Sequence, residues 1–98
     1  MTTDYPSVPK LPAEVAMTSP WDREGYRQLY GDDRTVTDHA ARVYALGVQA
    51  WNGIIDGLVV YVADGENPAM EPLNSVQARE LAVALLETAA ELDRWARA

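Results

Sequence analysis

The sequence predicts an α+β domain, in which a β-hairpin or small antiparallel sheet packs on one long C-terminal helix, preceded by a short helix and a disordered arm. Two patterns carry this prediction. From Asn74 to Arg97, Gln77, Glu80, Ala84, Glu87, Glu91 and Arg94 recur three and four apart. Leu81, Ala82, Leu85, Leu86, Ala89, Leu92 and Ala96 occupy the opposite arc, which is the period of an amphipathic helix. From Ala41 to Val62 the chain is dense in Val, Leu, Ile and Tyr and is interrupted by Asn52-Gly53 and Asp56-Gly57, as two strands around a reversal are.

Residues 1–18 hold Pro6, Pro9 and Pro12, a spacing that fixes φ at every third position and leaves few donors for a sheet or helix. This stretch is expected to be a flexible arm, with residues 19–98 forming a single domain. Pro6-Ser-Val-Pro9 and Pro9-Lys-Leu-Pro12 match the P-x-x-P form, which recurs by chance in any proline-rich tail. Ser19-Pro20-Trp21-Asp22 reads as a helix start, with Ser as cap and Pro at the first helical position. A short aromatic helix to Tyr30 is expected, weakened at Gly25 by roughly 1 kcal/mol relative to Ala.

Turning at Asn52-Gly53 pairs Tyr44 with Tyr61, Leu46 with Val59 and Val43 with Val62, while turning at Asp56-Gly57 slides these partners. The slide is an even number of residues, so the faces do not depend on it. Tyr44, Leu46, Val48, Val59 and Tyr61 share one face, and Val43, Ala45, Gly47, Gln49, Leu58, Val60 and Val62 the other. The first face is the bulkier and is expected to receive the C-terminal helix. The second is too apolar to face water, so either the Trp21 to Tyr30 segment or a second copy of the chain is expected to cover it, self-association through the sheet as a homodimer being the preferred reading. An acidic loop from Asp64 then leads to Asn74, which caps the helix with Gln77 reaching back to its amide.

The chain has 98 residues, no Cys, one His and a net charge of -7. A core of this size is thin and disulfides are excluded, which again favours self-association. The acidity disfavours direct nucleic-acid binding. No stretch resembles a signal peptide or a membrane span, so a cytoplasmic location with no membrane contact is expected.

Chemistry-bearing patterns are sparse. His39 beside Asp38 reads as a solvated residue at a strand entrance, because neighbours on a strand point to opposite faces. Asp64, Glu66 and Glu71 do not match an EF-hand spacing and read as a solvated acidic loop. No catalytic residue, metal site or cofactor is expected. The residues expected to meet a protein partner are Trp51, an aromatic beside a turn, and Glu80, Glu87, Glu91 and Arg94 on the helix's charged stripe. The expected function is a non-enzymatic interaction or regulatory module acting by stoichiometric binding. The alternative is an acidic decoy that occupies a nucleic-acid-binding protein.

The run from Gln49 through Asp56-Gly57 to Val60, followed by Leu73-Asn-Ser-Val-Gln-Ala-Arg-Glu-Leu and the helix to Asp93, resembles a group of small uncharacterised proteins of actinobacteria and their phages. The resemblance covers roughly the last half of the chain. It implies a hairpin followed by a capped helix and a bacterial or phage source, and no activity. Many members of that group carry Cys and His upstream that this chain lacks, so no metal role is carried over.

Overall fold

The structure, a computed structural model, describes residues 8–65 and 71–97. Its spine is β4 (His39–Ala50), in which Ala41, Val43, Ala45, Gly47 and Gln49 are buried at alternate positions. Along one edge of β4 runs β5 (Ile55–Asp64), antiparallel, with Val43 opposite Val62, Tyr44 opposite Tyr61 and Leu46 opposite Val59. These are the pairs expected from a turn at Asn52-Gly53, reached by two departures that offset each other. The turn has three residues rather than two: Ala50 and Ile54 close it, and the positive φ it needs falls on Gly53 at 95°. Asp56-Gly57 is not a turn but a bulge. Gly57 (φ 61) and Leu58 both stand opposite Gly47.

The other edge of β4 is shared by two short strands. β2 (Tyr26–Tyr30) pairs with Leu46–Ala50, β3 (Arg34–Val36) pairs with the start of β4, and β1 (Met17–Thr18) adds to β2. The helix expected from Ser19 to Tyr30 does not form. Asp22 instead ties a turn, its carboxylate accepting from the Glu24 and Tyr26 amides at 2.9 Å, and the chain then runs extended. In Tyr26-Arg-Gln-Leu-Tyr30 the alternation outweighs the helical start signal, because it turns Leu29 wholly inward onto a core with Ala45 and Trp95.

Helix α1 (Ser75–Ala96) opens on the expected capping box: Asn74 Oδ1 accepts from the Gln77 amide at 2.8 Å, and Gln77 Oε1 from the Asn74 amide at 3.0 Å. It packs across β4, β5 and β3 on the Val43–Ala45–Gly47 face, opposite to the face expected. Small side chains decide this. Ala41, Ala45 and Gly47 let the helix approach closely, and a Cβ on Gly47 would lie 3.7 Å from the Trp95 ring and 2.9 Å from Leu58. On the other face Tyr61 stays half exposed and the Tyr30 hydroxyl donates to Gln28 Oε1. A sheet-to-sheet contact is therefore not needed to cover the small face.

The helix is also rotated relative to the expectation. Ala84, Thr88, Glu91 and Trp95 point inward, so two members of the expected wet stripe are packed, Glu87 and Arg94 stay exposed, and Leu86 from the opposite arc is 73% exposed. Thr88 returns its hydroxyl to the Ala84 carbonyl at 2.7 Å, and Arg34 reaches Thr88 Oγ1 at 3.1 Å and Glu91 Oε1 at 3.5 Å. Polar side chains in this helix are inside because partners meet them there.

Of the stretch expected to be an arm, residues 1–7 lie outside the described residues and 8–18 lie against the domain. Pro12 is buried and Val15 packs on the Leu29–Ala45–Trp95 core. The fully buried Gln49 donates to the Lys10 carbonyl at 2.9 Å and accepts two bonds from Arg27, which also reaches the Pro9 carbonyl at 3.3 Å. This segment covers the part of the small face that lies beyond Trp95.

Candidate interaction surface

The residues expected to meet a partner do not converge. Trp51 sits at the β4–β5 turn, 39% exposed, edge-on to Trp21 with ring centroids 4.8 Å apart. Glu80 lies at the other end of β4, accepting from the Thr37 amide at 2.7 Å. A strand of 12 residues separates the two, about 40 Å of chain. Glu87 pairs with Arg34 at 3.3 Å and Arg94 with Glu14 at 2.7 Å, both on the surface. Glu91 is 1% exposed and out of reach of any partner. The charged stripe is thus largely spent within the chain, holding α1 to β3, to the β3–β4 turn and to the N-terminal segment.

The aromatic face of the sheet is what sequence reasoning missed. Tyr30, Tyr44 and Tyr61 form a row across β2, β4 and β5, with centroids 6.3 Å apart and tilted for the first pair, and 5.2 Å apart and stacked for the second. Tyr61 and Val59 are both close to half exposed. The Arg42 guanidinium lies 5.8 Å from the Tyr44 ring and pairs with Asp33 at 3.3 Å. Beside them a cleft of about 320 Å³ is lined by Met17, Tyr30, Asp32, Asp33, Arg42 and Tyr44. Desolvation raises the Tyr44 pKa above the ordinary tyrosine value, Tyr61, Asp33 and Tyr30 push it the same way, and Arg42 opposes them. The signal available in sequence was the placement of Tyr44 and Tyr61 on a face that the helix leaves open.

A second cleft, about 490 Å³, runs between α1 and β3 and is lined mostly by apolar atoms of Val76, Val83, Ala84 and Thr35 and by the stems of Arg79 and Arg34. Val76 and Val83 are each more than half exposed there.

His39 is held at both ring nitrogens rather than left to solvent. Nδ1 accepts from the Ala41 amide at 2.9 Å, so Nε2 carries the proton and donates to the Glu71 carbonyl at 3.1 Å. Asp64 is buried and accepts from the Glu71 amide at 2.7 Å. Both tie down the start of the segment that leads into α1. Glu66 and Asn67 of the acidic loop lie outside the described residues. Among the described residues no group of three or more His, Cys, Asp or Glu is placed to hold a metal ion, and no helix is long and apolar enough to cross a membrane. Comparison of the chain with protein-family models, with curated proteins and with solved structures finds no match.

Proposed function

We propose that this protein is a non-enzymatic interaction module of bacterial or phage origin, acting in the cytoplasm as a homodimer, that binds a basic protein partner stoichiometrically through the tyrosine face of its sheet. The observation that carries this reading is the open row of Tyr30, Tyr44 and Tyr61 with carboxylates at its rim. Asp32 lines the cleft beside the row without an ion pair among the described residues, and the net charge is -7. Aromatic faces and carboxylates together favour a guanidinium or ammonium ligand, and Arg42 over Tyr44 already rehearses that contact within the chain.

The decoy reading draws on net charge alone. Glu80 and Glu91, which it would place outside, are used internally. Calorimetric titration with an arginine-rich peptide separates the two. Saturable binding of one peptide per chain, weakened about tenfold by Tyr61→Ala, supports the tyrosine face. Binding that ignores Tyr61→Ala and vanishes with salt supports the decoy instead, and absence of saturable binding overturns both.

A further inference from the structure

We infer that a second copy of this chain docks on the outer face of α1, the two helices running antiparallel about a twofold axis at Val83. This assigns a surface to the homodimer put forward above and rests on that reading. With the small sheet face covered by α1 and the N-terminal segment, the most exposed apolar residues of the helix lie on its outer side. Val76 is 59%, Val83 53% and Leu86 73% exposed, with Ala90 exposed one turn further on. Val76, Val83 and Ala90 recur every seven residues, the repeat of a helix-pairing seam.

The charges along that seam fix the direction. Arg79 lies four residues before Val83 and Glu87 four after it. A parallel pair would set Arg79 against Arg79 and Glu87 against Glu87, with the helix dipoles aligned. An antiparallel pair about Val83 sets each Arg79 against a Glu87 and each Val76 against an Ala90, and an isologous contact makes both pairings twice. Arg79 has no ion pair among the described residues. Glu87 shares only Oε2 with Arg34, and its side chain is 59% exposed.

Val76 to Ala90 spans about 21 Å of helix. A seam of that length buries less than the roughly 1,600 Å² of a standard interface, so micromolar association is expected. Light scattering on the full chain from about 1 to about 500 µM should show a monomer–dimer equilibrium. Val83→Glu should weaken it at least about tenfold while leaving the circular dichroism of the exposed-site variant unchanged. Arg79→Glu should weaken it, and adding Glu87→Arg should recover it. The chain has no Cys, so a mixture of Val76→Cys and Ala90→Cys chains should cross-link between unlike copies, and Val76→Cys alone should not. A monomer throughout the series overturns the homodimer and this surface together. A dimer that withstands Val83→Glu and ignores the charge reversals leaves the homodimer standing and overturns its placement on α1.

Discussion

Arg34 serves three acceptors on α1 at once: Glu87 Oε2 at 3.3 Å, Thr88 Oγ1 at 3.1 Å and Glu91 Oε1 at 3.5 Å. Glu91 is the one that cannot turn to water, and Gly31 leaves the room it occupies, since a Cβ there would collide with Glu91 Oε1. Removing the cation strands a buried carboxylate. Arg34→Ala is therefore expected to cost about 2–3 kcal/mol in denaturant unfolding, below the full buried-pair range because Arg34 is itself 20% exposed. Glu91→Gln in that background should recover part of the loss, a coupling that a double-mutant cycle measures. Tyr44 makes the opposite kind of test. Its raised pKa means the folded state holds the phenol proton more tightly than the unfolded chain, so this contribution is fully present below the unfolded-state value and is lost as pH rises through the folded one. Stability measured from neutrality upward should begin to fall above about pH 10, and more in the wild type than in Tyr44→Phe.

Among the elements, the N-terminal segment depends on one side chain. Gln49 holds the Lys10 carbonyl directly and the Pro9 carbonyl by way of Arg27, whose guanidinium also lies 4.5 Å from the Trp21 ring. Gln49→Leu keeps the volume but removes both functions, and leaves Arg27 with a donor unmet. Protease cleavage between Lys10 and Ser19 is expected to speed up several-fold in this variant, with cleavage within β4 and β5 unchanged; equal rates in the wild type and the variant would show that Gln49 does not hold the segment. The same paragraph of chain explains why sequence reading failed there. Prolines every third residue resemble a free arm, and only the buried amide on β4, which nothing local announces, shows that they have a place to lie. At α1, by contrast, the cap was legible because Asn74 and Gln77 answer each other within one turn.

For the whole molecule, the α+β class and the division of residues between faces were legible from a period of two, and the pairing of Tyr44 with Tyr61 was expected although a three-residue turn and the bulge at Gly57 together produce it. Which face the helix would choose was not. Both faces are apolar, and the choice rests on the small volumes of Ala41, Ala45 and Gly47, a matter of fit rather than hydropathy. The rotation of α1 was hidden for a related reason. Glu91 and Thr88 count as polar in any pattern, yet Arg34, from a strand 57 residues away in sequence, satisfies Glu91 inside. Both bear on the candidate site: once the helix is placed on the small face, the tyrosines are left open and Glu91 is closed in, while Glu87 and Arg94 stay exposed in surface ion pairs.

The bulge at Gly57 has a consequence for how copies of this chain behave when crowded. Among the described residues β5 pairs with β4 alone, so its outer side is a ten-residue edge carrying Val59, Tyr61 and Val62. A flat edge of that composition invites strand addition from neighbours and growth into fibres. The extra residue opposite Gly47 breaks the regular spacing of donors and acceptors along the edge and coils the strand. A glycine that resembles a second turn in the sequence thereby makes the outer edge of β5 a poorer template for strand addition.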